Sequence, residues 1–584
     1  MQKTAQLSNK CVLLQRYFYN FNCGEHKLYV SPCIIIKNQF IMKKILFAVV
    51  LVLTTGSVFA GGLLTNTNQS AHFLRNPALD ATTEIDGVYA NPAGLTFLTD
   101  GFHLSLSNQS VFQTRTITST FAPFAANNGG DPTKVFKGEA SAPLVPSFQL
   151  AYKKDRYVIS AGFAITGGGG KAVFGQGLPS FEAPVSMLPL SLIANGVNTT
   201  TYSVDSYMEG QQYIFGFQLN GSYKINDALS AALGMRLNVA NNAYVGHLKN
   251  IMINPNQPAF GALYNGSQPV SATKFFTDAA TVLSGWSTGA TSFVAGLQPI
   301  VSGGGGAVLL TNGTSAGLSV TQIAQIQGLL GAAGLTPAQI GAINIQTAQG
   351  TLSAAAPVFA GKAAAMTKNA ASTADKQLDC TQTGWGITPI ISLDYHFEGL
   401  NLAAKYEFKS SLNIENKTTT DDTGLYPNGV NTPNDIPALL TLGAEYQVCK
   451  KLKVSGGYHH FFDSDAKMAN DKQQYINGGI NEYLLGSEYS ITDALLISAG
   501  GQVTRTGVSD NYQSDMSYSL NSYSIGFGGA IKITPQLRLN LSYFFTNYSK
   551  WTKESTNYNG TILAGTDVYD RTNKVFGIGL DYKF

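Results

Sequence analysis

Near the C-terminus the chain reads KVFGIGLDYKF, in which Phe576, Ile578, Leu580, Tyr582 and Phe584 alternate with Gly577, Gly579, Asp581 and Lys583. Successive side chains of a strand point to opposite faces, so this segment predicts a strand with one apolar face and one polar or crowded face. Alternation over about ten residues recurs along the chain. It predicts fourteen strands, beginning near Phe102, Phe148, Tyr157, Tyr213, Leu229, Trp385, Leu402, Pro437, Leu452, Asn481, Leu495, Tyr523, Leu537 and Lys574. The connections alternate in length. Short ones hold turn residues such as Asn226-Asp227, Thr492-Asp493 and Thr534-Pro535, and long ones fall at 113–145, 167–210, 249–384, 415–436, 463–480, 507–521 and 551–573. Short turns at one end, long loops at the other and an even strand number predict an all-β fold, a 14-stranded antiparallel transmembrane β-barrel. A soluble sandwich would need a dry core, whereas Arg236, Lys405, Glu407, Lys409 and Arg538 are all expected on the second face. Pro389 falls inside the sixth strand and predicts a bulge or strand boundary there.

Composition fits this pattern and narrows it. Only 12% of residues are charged and the mean hydropathy is +0.02, yet the chain holds 61 Gly, 28 Tyr and 32 Phe. A soluble protein carries about twice that charge fraction, and a helical membrane protein would be far more apolar. From Met42 the sequence reads MKKILFAVVLVLTTGSVFA, two lysines followed by an apolar run and small residues, with Val58 and Ala60 where a signal peptidase reads. Residues 42–60 are therefore expected to be a signal peptide cleaved after Ala60. Residues 1–41 are expected to be upstream translation absent from the mature protein. Residues 1–60 hold six Lys, one Arg and one Glu, so the whole-chain +3 becomes about −3 without them. That gives no reason to expect nucleic acid as a partner. Cys380 and Cys449 remain, expected at opposite ends of the barrel and unable to pair.

Residues 61–101 precede the first strand and do not alternate. A fourteen-strand barrel is too wide for its own side chains to fill, so this apolar, turn-rich segment is expected inside, as a hatch. It contains NPALDAT at 76–82 and DGVYANPAGLTFLTDG at 86–101. Here the chain resembles the FadL/TodX family of outer-membrane transporters of long-chain fatty acids and other hydrophobic compounds. In that family a fourteen-stranded barrel is plugged by a small N-terminal hatch with an Asn-Pro-Ala motif. Asn91, Pro92 and Ala93 match it, after the approach Asp86, Gly87, Val88, Tyr89 and Ala90; Asn76, Pro77 and Ala78 are a second copy ranked below it. The third strand, YVISAGFAITGGGG, is similar to the family strand that kinks inward and opens a lateral portal, with Gly162 at a kink position. The likeness continues through Tyr406-Glu407, Asp435-Ile436-Pro437 and the last strand, whose terminal Phe584 resembles the signal read by barrel-assembly machinery. It covers 61–584 apart from long-loop insertions.

The resemblance implies passive transport across a Gram-negative outer membrane. A hydrophobic molecule, a long-chain fatty acid above all, would pass the lipopolysaccharide layer on apolar loops, bind in the lumen and leave sideways into outer-membrane lipid. His247 and Lys249, at the end of the fifth strand, are candidate carboxylate contacts, weighed against plain solvated charges. Loop 249–384 is much longer than its counterpart in the family, with Thr321–Leu330 helical in spacing and a second helix capped by Thr336, Pro337 and Gln339. The alternatives are a general porin or structural barrel, or an outer-membrane lipase or protease. For the last, His459 and His460 beside Asp463 and Asp465 form the best cluster, but adjacent strand residues face opposite sides and no nucleophile stands out. Gly167–Lys171 lacks Walker spacing and reads as a flexible loop. No catalytic residue, metal site or cofactor is expected.

Overall fold

The computed structural model describes residues 66–584, so the expected upstream segment, the signal peptide and the first hatch residues lie outside the described part. Eighteen hydrogen-bonded segments form one closed sheet. They make fourteen wall strands, because three strands are interrupted and the short piece Val270–Ser271 only extends a rim. In chain order these are β1 (Gly101–Thr120), β2 (Thr133–Lys154), β3 (Tyr157–Phe174), β4 (Tyr202–Lys224), β5 (Leu229–Ile253) and β6 (Lys376–Phe397). Then come β7 (Leu400–Glu407, resumed at Asn413–Asp421), β8 (Asn431–Pro433, resumed at Leu439–Cys449), β9 (Leu452–Phe461) and β10 (Ile480–Ser490). The last four are β11 (Leu495–Arg505), β12 (Ser522–Lys532), β13 (Leu537–Tyr548, resumed at Trp551–Ser555) and β14 (Gly565–Lys583). Each pairs antiparallel with its neighbour, and β14 closes on β1 from His103↔Lys583 to Thr120↔Thr566. Closure leaves the sheet with no edge strand.

The alternation is inside-out relative to a soluble protein. On β14, Phe576, Ile578 and Leu580 are exposed, whereas Arg571, Asn573, Gly577 and Gly579 face inward and are buried. The same parity exposes Leu233 and Met235 on β5 and buries Arg236 and Asn238. An apolar exterior around a polar interior is stable in lipid and unstable in water. Among the described residues, no helix is long and apolar enough to cross a membrane.

Several boundaries differ from the sequence reading, mostly for one reason. Strands β1 to β6 and β14 run 18–25 residues, well beyond the ten that alternate apolar and polar. About 9–11 tilted residues span a bilayer, so these strands rise past the apolar belt at the loop end, where both faces are polar and the alternation fades. Gly167–Lys171 is thus part of β3 rather than a loop. Lys409 is exposed where β7 breaks and donates to the Asp465 carbonyl, so it does not face the lumen. Pro389 causes no register shift against β5, where it lies opposite Met235. Its carbonyl accepts from Phe408 N–H, just past the first part of β7, so its missing donor faces the place where β7 leaves the ladder.

Loop 254–375 carries a helical arm: α1 (Ala272–Ser302), α2 (Val320–Ala332), α3 (Pro337–Ala342) and α4 (Ile345–Ser372). The two helices expected from sequence are α2 and α3, both with a complete capping box. The long helices α1 and α4 were not anticipated. They pack on one another through Leu283, Ala290, Leu297, Leu352 and Phe359.

Candidate ligand cavity and wall opening

Residues 66–100 run through the lumen as a short helix (Ala71–Arg75), 3-10 turns and extended links, nearly all buried. The wall accommodates the first half of this segment with a track of inward glycines. A Cβ on Gly457 would lie 1.9 Å from Asp80 Oδ2, one on Gly486 1.8 Å from Asn76 Oδ1, one on Gly500 2.6 Å from Pro77 and one on Gly526 2.0 Å from the Leu74 carbonyl. Ion pairs then fix it: Arg75 with Glu488, Arg538 with Glu84, and His459 with Asp80.

The second half is held by hydrogen bonds to its carbonyls. Gln218 and Asn220 donate to Val88 O (2.9 and 3.0 Å), Lys405 to Tyr89 O (2.9 Å), Ser222 to Pro92 O (2.7 Å) and Ser230 to Ala93 O (2.8 Å). Asn91 explains why this motif needs that residue. Its Oδ1 accepts from Gly94 N–H at 3.3 Å, capping the turn that starts at Pro92, while its Nδ2 donates to Thr82 O and to Asp394 on β6. Ala93 is fully buried, with its N–H on Ser392. Asn76-Pro77-Ala78 is equally buried, against β9 to β11. The sequence reading ranked this copy second, yet both meet the wall. Below Tyr89, Arg236 and Lys405 both pair with Glu407, and both cations also face the Tyr89 ring.

Above this segment is a cavity, part of it open to the outside, lined by Phe73, Val111, Ile165, Tyr213, Phe544 and Val575 together with Gln109, Gln113 and Thr504. Toward the loop end it is roofed by a buried apolar layer that includes Phe121, Phe124, Phe136, Met516, Tyr518 and Leu520.

The wall beside this cavity is not continuous. β2 and β3 pair up to Phe148↔Phe163 and again from Ala140↔Ala172, with nothing paired between. Residues 141–147 of β2 and 164–171 of β3 therefore border a slit, and Ala142, Val145, Ile165, Gly168 and Gly170 on its rims line the cavity. Local chemistry accounts for the slit. Pro143 and Pro146 remove two ladder donors from β2. On β3, Gly168 and Gly170 have φ of +88° and +77°, a region closed to most L-residues, and β3 bulges against β4 between Gly167 and Gly170. Gly162 sits two residues below Ala164, in regular pairing with Gln149 and Gln218, and its α-carbon faces Val88 of the N-terminal segment. The departure from the ladder thus begins above Gly162. Tyr213, which lines the cavity, starts an outer-wall run with Phe215, Phe163 and Phe217.

Cations at the roof were missed in the sequence. Arg115 is buried, faces the Tyr518 ring at 4.9 Å, and its Nε and Nη2 have no hydrogen-bond partner. Lys472 donates to Ser517 O and Lys553 to Gln513 O, and among the described residues neither is within salt-bridge reach of a carboxylate. Arg115 keeps the inward parity of Gln109 and Gln113 along β1, but it lies in the stretch 113–145 that the sequence pattern assigned to a loop. His247 and Lys249 share the outward parity of exposed Val245, and His247 is held by Asp205 at 3.1 Å, so the pair lies outside the lumen. His459 faces inward and His460 outward against Phe462, so the two do not converge. Phe584 is exposed, its N–H on Phe102 O.

No family model matches the chain, and no curated protein matches it. Solved structures do. A Pseudomonas aeruginosa FadL homologue superposes with a TM-score of 0.51 at 12% identity, covering 90% of this chain and 100% of that one. The P. putida toluene transporter TodX gives 0.43 at 14% identity, covering 86% and 95%. The Ralstonia pickettii toluene transporter TbuX gives 0.43 at 13%, covering 87% and 98%. The likeness to the FadL homologue is one of fold: the same barrel architecture, at an identity too low to carry function with it.

Proposed function

We propose that the chain is a passive transporter of hydrophobic molecules, long-chain fatty acids foremost, in the outer membrane of a Gram-negative bacterium. One observation supports this reading: the luminal cavity lies beside the stretch of wall where β2 and β3 are unpaired, and residues of both rims line it. An aqueous porin needs an open axis, and a purely structural barrel needs no cavity. An unpaired stretch of wall beside outward-facing aromatics on an apolar exterior suits cargo bound for lipid. Burial of each methylene contributes about 0.8 kcal/mol, so a long acyl chain can be captured without an energy source. Arg115, Lys472 and Lys553 at the roof favour a carboxylate head over a neutral hydrocarbon. On this reading the short turns are periplasmic, the helical arm stands among lipopolysaccharide, residues 61–101 are the hatch, and exposed Phe584 is the assembly signal. The shared fold with a FadL homologue supports the same assignment.

The test is expression in a strain unable to grow on oleate for want of an outer-membrane carrier, with binding of radiolabelled oleate and p-xylene to the purified protein. Restored growth and oleate binding are expected. No growth and no binding of either compound would overturn the proposal.

A further inference from the structure

Two histidines join the hatch to the wall in the same way. His72 of the hatch has Nδ1 2.7 Å from Asp86 Oδ2 and Nε2 2.8 Å from Glu488 Oε1 on β10. His459 of β9 has Nε2 2.8 Å from Asp80 Oδ1 of the hatch and Nδ1 2.8 Å from Glu482 Oε2 on β10. All six side chains are buried. An ionised carboxylate only accepts, and a neutral imidazole has one N–H to give. An imidazole between two carboxylates is therefore satisfied on both sides only as the imidazolium.

The surrounding charges leave this requirement in place. His72 also faces Arg75, which shares Glu488 with it, and Lys453 of β9 reaches the other oxygen of Glu488 at 3.1 Å. Glu84, the remaining hatch carboxylate nearby, is taken by Arg538 of β13, and Glu445 of β8 by Lys453. Around His459, Gln502 and Thr504 of β11 hold Glu482 from its far side. The second half of the hatch, from Val88 to Ala93, is tied instead through its carbonyls and Asn91.

We infer that these two imidazoliums form a proton-held latch: the hatch stays docked against β9 and β10 while both are protonated and loosens when they are not. The inference rests on the hatch plugging a transport lumen. Each lost proton removes one donor and leaves a buried carboxylate facing a ring lone pair, where an unpaired charge is most costly. For His72, burial and the Arg75 charge lower proton affinity, but Glu488 and Asp86 more than offset them and carry the pKa from 6.5 to about 9. A folded pKa above the unfolded one means the latch is complete below pH 6.5 and is lost as pH rises through about 9.

The full-length protein in planar bilayers tests this, with conductance followed from neutral to strongly alkaline pH for the wild type, His72→Gln, His459→Gln and the double variant. Wild type should be nearly closed at neutral pH and open steeply above about pH 9, by up to about tenfold per pH unit for each latch. The double variant should conduct at neutral pH with a flat profile. If it stays closed, or keeps the wild-type rise, the latch is refuted and the rise belongs to other groups. Heat-modifiable migration reports wall assembly. Should the double variant fail to assemble, Asp80→Asn with Asp86→Asn alters only the hatch and must raise neutral conductance, or the latch is refuted. Oleate binding measured in parallel separates the two ideas, since a protein that binds no hydrophobic ligand but opens with alkali loses the transport reading and keeps the latch.

Discussion

Replacing Gly486 with alanine should displace the hatch while leaving the barrel intact. The added Cβ would lie 1.8 Å from Asn76 Oδ1, 2.8 Å from Asn76 Cγ and 3.1 Å from Ser455 Oγ. Asn76 is fully buried and its Oδ1 accepts from Ala78 N–H at 3.3 Å, so it cannot swing aside without disturbing Pro77 and Ala78. Overpacking of this kind costs about 1–3 kcal/mol. The wall itself has no reason to suffer, since alanine suits a strand at least as well as glycine. The strain therefore falls on hatch docking, and the undocked population should rise by about 5- to 150-fold, at 1.4 kcal/mol per tenfold. Single-channel conductance should show longer and more frequent openings, with unchanged heat-modifiable migration. Gly456→Ala is the control, because its Cβ would meet nothing nearer than the Leu484 carbonyl at 3.8 Å. Adding Asn76→Ala should relieve the clash and return part of the closed state, a non-additive pair. If assembled Gly486→Ala conducts no more than Gly456→Ala, the glycine track does not seat the hatch.

Three further outcomes follow from the cavity and its rims. Pro143→Val with Pro146→Val restores two ladder donors on β2 and should narrow the slit, lowering oleate uptake severalfold while oleate binding persists; unchanged uptake would discount the lateral route. Arg115→Leu should weaken oleate binding by about tenfold, the value of a charge-assisted hydrogen bond of about 1.5 kcal/mol, with p-xylene binding unaffected; equal losses for both probes would mean that Arg115 is only structural. Lys472, in the loop after β9, has its pKa brought down from 10.5 to about 7, first by burial and then by Lys553. A folded pKa below the unfolded one favours the docked loop increasingly as pH rises from about 7 to 10.5. A carboxylate arriving there should restore the proton, so calorimetry at pH 8 should show proton uptake on oleate binding, absent in Lys472→Met.

The sequence alone determined the wall. Alternation with period two, bounded by Asn-Asp, Thr-Asp and Thr-Pro turns, is a local code: each side chain's face follows from its parity, and lipid outside enforces that parity for every strand. It placed all fourteen strands and put Arg236, Lys405, Glu407 and Arg538 inside. Apolar spacing likewise placed the helix at Val320–Ala332, and the cap at Thr336 the one at Pro337–Ala342. Helices Ala272–Ser302 and Ile345–Ser372 escaped notice: the second is rich in Ala, Gly, Ser and Thr and has little apolar contrast, and both are stabilised by packing on each other. The slit was only half legible. The glycines of β3 are visible in the sequence, but Pro143 and Pro146 matter only because they lie opposite those glycines across a strand pair. What the tertiary structure decided is everything that joins distant segments: a glycine track shaped to residues 74–80, histidines each clamped between a nearby carboxylate and one some 380 to 420 residues away, and cations gathered at the roof. Such contacts depend on which residues the barrel's curvature brings together across the lumen, and strand parity carries no information about that.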